Sequence, residues 1–199
     1  MNKLAALVLV LSLLSANSML CHAATINSTA TKLRSVQAVF TQEKHLRILA
    51  RPLISRGTLL FQAPQSLRWE YQEPIHSVLL LHDGHIDKRI ERDGSFEQDN
   101  GAGVGTMQII LQDIGSWLDG RFNDNPLFSV RRSGPEDLIL SPKDPGMETV
   151  IQRIELHLGQ EKGVVDRVTI VESAESSTVI TFSQVVVNQD IPAERFTTP

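Results

Sequence analysis

A mainly β, α+β fold is what this sequence predicts: one twisted antiparallel sheet curled around a single amphipathic helix. Three observations predict it. The stretch 56–74, RGTLLFQAPQSLRWEYQEP, alternates bulky apolar and polar residues with period two, which puts Leu59 and Phe61, then Leu67, Trp69 and Tyr71, on one face. Turn signals such as Asp83-Gly84, Asp93-Gly94 and Ser133-Gly134-Pro135 separate further extended runs. Lastly, Met107, Ile110, Leu111, Ile114, Trp117 and Leu118 recur at helical spacing across 106–118, and Gly120 is placed to end that helix. One apolar helical stripe among strands needs a sheet face to cover.

The N-terminal residues 1–23 read as a targeting segment cleaved from the mature protein. Lys3 gives a positive start, 4–14 a nearly continuous apolar run, and Cys21-His22-Ala23 a small-x-small cleavage site. That run is too short for a membrane-crossing helix, and Leu20 stands where lipid attachment at Cys21 would want a small residue. Residues 24–199 then suit a single domain. The only cysteine leaves with the targeting segment, so disulfide and thiolate chemistry are excluded from the mature chain. With 19 Lys and Arg against 23 Asp and Glu, the chain carries a mild negative charge that suits solubility and argues against nucleic-acid binding.

Taken in order, Asn27 or Ser28 can cap a short helix over 29–34 with Leu33 and Val36 on its buried side. Residues 36–46 look extended, and 46–52 form a turn whose Arg47 and Arg51 would guard an exposed sheet edge. Pro64 places 63–66 in a hairpin loop, because its fixed φ and missing N–H do not serve a central ladder. The apolar run 75–81 returns through Asp83-Gly84 as 85–91. A two-residue turn there pairs Leu81 with Ile86, Leu79 with Lys88 and His82 with His85. Residues 98–105 are Gly-rich and polar, hence a loop. After the helix, strands are expected at 128–132, 138–141, 154–158, 165–171 and 178–187, with 172–177 as a polar loop. Val185-Val186-Val187 suggests a strand covered on both faces, and 191–196 a last turn tucking Phe196 onto the sheet.

No nucleophile elbow, Gly-rich phosphate loop or His-Glu-x-x-His occurs. His76, His82 and His85 share a face with Asp87 and Glu91, but two of them flank a turn, where imidazoles are ordinarily solvated. Glu136 and Asp137 fall in a loop with no partner to shift their pKa values. The expectation is no catalytic residue, no metal and no cofactor: not an enzyme.

From Phe40 to Gly84 the sequence resembles the periplasmic outer-membrane lipoprotein carriers, the LolA/LolB-like family, as a divergent LolA-like member. The resemblance rests on Phe40-x-Gln42, Gly57-x-Leu59-x-Phe61, and Pro64-Gln65-Ser66-Leu67-Arg68-Trp69 with Tyr71 and Pro74 behind it. The order of strand pair, Asp-Gly hairpin, helix and β-rich tail closing in Phe196-Thr197 continues it. It implies an open half-barrel of antiparallel strands with helices covering the concave face. It also implies a periplasmic, monomeric carrier that holds acyl chains of a lipid-modified cargo between sheet and helices. Leu59, Phe61, Leu67, Trp69, Tyr71, Leu79 and Leu81 would line the sheet side, and Met107, Ile110, Leu111 and Ile114 the lid. The partners implied are an acylated lipoprotein, an inner-membrane donor transporter and an outer-membrane acceptor. Two positions depart from the family pattern. Ala63 stands where the best-known carriers have a lid-latching arginine, and Ile86-Asp87-Lys88-Arg89 lacks the usual aromatics. The alternatives are a carrier of a non-protein lipid or polyketide-type molecule, or a periplasmic interaction domain with a filled core.

Overall fold

The computed structural model describes residues 33–99, Trp117, 125–159 and 164–198. Two antiparallel meanders account for the strands. The first runs β1 (Ser35–Leu46), β2 (Leu53–Gln62), β3 (Ser66–Glu73), β4 (Ser77–His82), β5 (His85–Arg92) and β6 (Ser95–Gln98). The second runs β7 (Phe128–Arg132), β8 (Asp137–Pro142), β9 (Arg153–Leu158), β10 (Val165–Ser173) and β11 (Ser176–Val187). Pairing of β1 with β11 joins them into one 11-stranded sheet, ordered β6-β5-β4-β3-β2-β1-β11-β10-β9-β8-β7. The sheet is open: β6 and β7 lie at its two ends and do not pair with each other.

Turn chemistry fixes the register of the first meander. Asp83 and Gly84 both take positive φ, at 48° and 78°, as a type I′ hairpin requires. The pairs Leu81–Ile86, Leu79–Lys88 and His82–His85 follow from it as expected. Asp93 and Gly94 repeat the geometry between β5 and β6.

One face of both meanders shares a single core. Phe40 of β1, Leu59 and Phe61 of β2, Leu67 and Trp69 of β3, and Leu79 of β4 belong to the same buried cluster as Leu138, Leu140, Ile154, Leu156, Val168, Ile170, Ile180 and Phe182. Trp117 is helical, fully buried and part of that cluster. The rest of the stripe (Met107, Ile110, Leu111, Ile114 and Leu118), residues 29–32 of the helix expected over 29–34 and the targeting segment lie outside the described residues; Leu33 and Arg34, at the end of that expected helix, are not helical, and Val36 is already in β1.

The other face is covered locally. A short 3₁₀ turn, Ala193–Phe196, buries Phe196 against Leu60 and Ile191. This explains why β3 is buried on both sides at Leu67, Arg68 and Trp69.

Three expectations need correction, and one element was not expected. The turn after Leu46 joins two central strands, so Arg47 and Arg51 mark a hairpin tip and not a sheet edge. The 172–177 loop shrinks to the turn Ala174-Glu175, because β10 and β11 continue pairing up to Ser173–Ser176. Val186 is exposed, not covered: Gln184 takes a φ of 52° and the register with β1 shifts between Gln37 and Val39, so only Val185 and Val187 keep the inner face. Finally, a one-turn helix α1 (Pro145–Glu148) begins where Asp144 accepts a hydrogen bond from the Met147 N–H.

Candidate functional site

The inner face of β1–β4 is an aromatic wall. Phe40 stacks on Trp69 with ring centroids 4.3 Å apart, Tyr71 meets Phe40 edge-on at 5.3 Å, and Phe182 meets Trp69 edge-on at 6.1 Å. Gly57 makes this possible. A Cβ there would lie 1.8 Å from the Glu70 carbonyl oxygen and 2.8 Å from the tip of Phe40, so only glycine lets that ring lie on β2.

Of the expected wall residues, Leu59, Phe61, Leu67, Trp69 and Leu79 are buried together, while Tyr71 and Leu81 pack half-buried at the border. Phe40 and Phe182 belong beside them. Sequence reasoning missed both as wall residues, although each sits at the apolar phase of its own strand. Two buried indole N–H groups, on Trp69 and Trp117, have no acceptor in hydrogen-bonding geometry among the described residues, an uncommon cost in an apolar core.

Tyr71 ends the wall. Its hydroxyl donates to Gln42 Oε1 at 2.8 Å, and burial pushes the phenol up to about 12, so it stays neutral. Beyond it an inner-face opening of about 270 Å³ is lined by Gln42, Ser55, Glu73, Pro74, Ile75 and Lys88 among others.

The opposite face carries an ionic chain. Buried Arg68 donates from Nε to Glu70 Oε2 at 2.8 Å and from Nη1 to the carbonyls of Arg195 and Thr198, clamping the C-terminal turn. Glu70 Oε1 meets His76 Nε2 at 2.9 Å, and His76 Nδ1 meets Glu91 Oε2 at 2.6 Å. Burial pushes the Glu70 carboxyl up, but its hydrogen bonds to Arg68 and His76 outweigh this and hold it below the ordinary value. The bond to Glu70, against a smaller opposing effect of burial, raises His76, with Glu91 adding to it. His82 bonds Ser66 and stacks on Phe196. The shared face of His76, His82 and His85 is thus real, but its members look to different partners. Asp137 begins β8 and does not lie in a loop; it bonds His157 Nδ1 at 2.8 Å and raises that imidazole.

The stretch that builds the wall also carries a family likeness. Residues 31–86 match the family model described as "Outer membrane lipoprotein carrier protein LolA", a segment covering β1–β4. This segment is similar to LolA. No curated protein matches it. Among solved structures this chain is similar to the LolA superfamily protein NE2245 from Nitrosomonas europaea, at 14% identity and TM-score 0.47, over 85% of this chain and 92% of that one. It is also similar to a DUF1329 family protein from Desulfovibrio piger ATCC 29098, at 11% identity and TM-score 0.45, over 83% and 90% of the two chains. A third is the Pseudomonas aeruginosa MucA/MucB complex, at 15% identity and TM-score 0.40, over 83% of this chain and 56% of that one.

Proposed function

We propose that this protein is a periplasmic carrier that holds the acyl chains of a lipid-modified cargo against the inner wall and ferries them towards the outer membrane. The observation that carries the reading is the coincidence of the family match with the strands that build the wall. Residues 24–199 form the carrier domain, with Leu59, Phe61, Leu67, Trp69, Tyr71, Leu79 and Leu81 on the sheet side and Met107, Ile110, Leu111 and Ile114 on the lid. A lipoprotein, an inner-membrane donor and an outer-membrane acceptor are its partners, and it acts without catalysis. Acyl burial is worth about 0.8 kcal/mol per methylene, so a rigid, fully complementary slot would never release its load. Apolar packing among wall and helix in the empty state competes with the cargo, lowering the net gain. The indole N–H groups of Trp69 and Trp117 would then find acceptors in the ester or amide linkage of the chain.

Native mass spectrometry of the protein from its own compartment, with lipid extraction, tests this. An acylated peptide is expected, and Leu81→Gln at the wall's border should lower its occupancy while leaving the fold intact. An empty chain that also ignores a hydrophobic dye would favour a filled-core interaction domain. One observation favours a free lipid or polyketide-type cargo. Lys88 lies opposite Leu79 on the inner face and pairs with Asp99 at 2.6 Å, putting charge where the family has aromatics. Such a molecule would appear in the same extract without peptide.

A further inference from the structure

Six of the eight large apolar side chains exposed among the described residues lie at one end of the sheet. Ile48 is 88% exposed, Leu53 56%, Ile75 57%, Ile54 46%, Val150 45% and Leu49 39%. They belong to separate connections. The registers Lys44–Leu53, Arg56–Glu73, Leu46–Ser176 and Val171–Arg153 bring the β1–β2, β3–β4 and β10–β11 turns and the segment after α1 to this same end. Ile48 is no frayed tip. The Arg47 N–H donates to the Glu175 carbonyl and the Leu49 N–H to that of Leu46, each at 2.9 Å, so the turn displays Ile48 on fixed backbone.

Cations cluster on the β1–β2 hairpin itself. Residues 44–56 contain Lys44, Arg47, Arg51 and Arg56 and no Asp or Glu, with Glu43, Glu73, Glu172 and Glu175 flanking them at the same end. Arg51 makes no ion pair among the described residues. Arg47–Glu175 and Arg56–Glu73 are pairs exposed on both sides, which contribute little in water and can open onto another anion. Lys44 is held more firmly by Glu172.

From this end we infer a membrane-docking surface: the β1–β2 hairpin tip, flanked by Ile75 and Val150, seats on a bilayer containing anionic lipid. Apolar tips on several turns, interleaved with cations, suit a planar and deformable interface, where side chains enter the acyl boundary while arginines meet phosphates. The inner-face opening beyond Tyr71 includes Ile75, so a docked molecule would present the end of its wall to the lipid. The docking itself needs no cargo and stands apart from the carrier reading.

Flotation of the purified mature chain with vesicles of phosphatidylethanolamine and phosphatidylglycerol tests it, with phosphatidylcholine vesicles alongside. Binding is expected to the anionic vesicles and to weaken with salt. The double variant Ile48→Ser/Leu53→Ser should reduce it about tenfold or more, and Arg51→Ala about fivefold, with unchanged circular dichroism because all three side chains are on the surface. Tryptophan emission of Ile48→Trp should shift to the blue on adding the anionic vesicles. Failure of the wild type to float, or flotation indifferent to Ile48→Ser/Leu53→Ser, overturns the proposal and leaves a protein as the occupant of this end.

Discussion

Arg68 is the only charged residue that is buried among the described ones, and its surroundings set a pH dependence. His76 has a raised pKa in the folded state because Glu70 and then Glu91 hold its proton. Its contribution is therefore complete below the unfolded value near 6.5 and is lost as pH rises through the folded value. Glu70 works the other way. Its folded pKa lies below 4.5, so its contribution is present above that value and is lost as pH falls through the folded one. Both act together only between the two folded pKa values. In urea titrations across pH, His76→Gln should fall furthest short of the wild type at about pH 6, and the gap should close in alkaline buffer. A constant gap across the range would mean that the imidazole acts through packing against Phe96, whose ring it meets edge-on at 4.9 Å, and not through its charge.

At the scale of the element, Gly57 shows how a strand can depend on an absent side chain. Gly57→Ala puts a methyl group into the Glu70 carbonyl and the Phe40 ring, and a loss of about 3 kcal/mol is expected. The urea midpoint measures it, and an unchanged midpoint would mean that Phe40 is free to leave Trp69. Hairpins such as β4–β5 were legible in the sequence because a two-residue turn with two positive φ values leaves one register. The wall was legible too, since strict alternation names its face. The kink in β11 was not: the positive φ falls on Gln184, which carries no turn signature. Nor was the burial of Arg68, which depends on the carbonyl of Arg195, 127 residues further along the chain. Period-two reasoning puts Arg68 on the polar face and cannot see what returns to cover that face.

For the whole molecule, the two faces are separable. The inner face carries the wall, while the outer face is sealed by Phe196 on Leu60 and by the Arg68 clamp. A chain ending at residue 190 should bind a hydrophobic dye through its uncovered outer face while keeping the inner-wall cargo, as lipid extraction would read. Loss of both together would mean that the tail supports the wall. The seam between the meanders has a further consequence. It is tied off where Arg34 meets Asn188, 154 residues apart in sequence, so this fold has high contact order at its centre and not at its rim. During synthesis β1 can pair with β2 at once, yet its other side stays open until β11, the last strand among the described residues, is made. A stalled or truncated chain therefore offers a bare edge from the middle of the future sheet, which the finished protein keeps paired. That edge, sooner than β6 or β7, is where half-made copies would be expected to join one another.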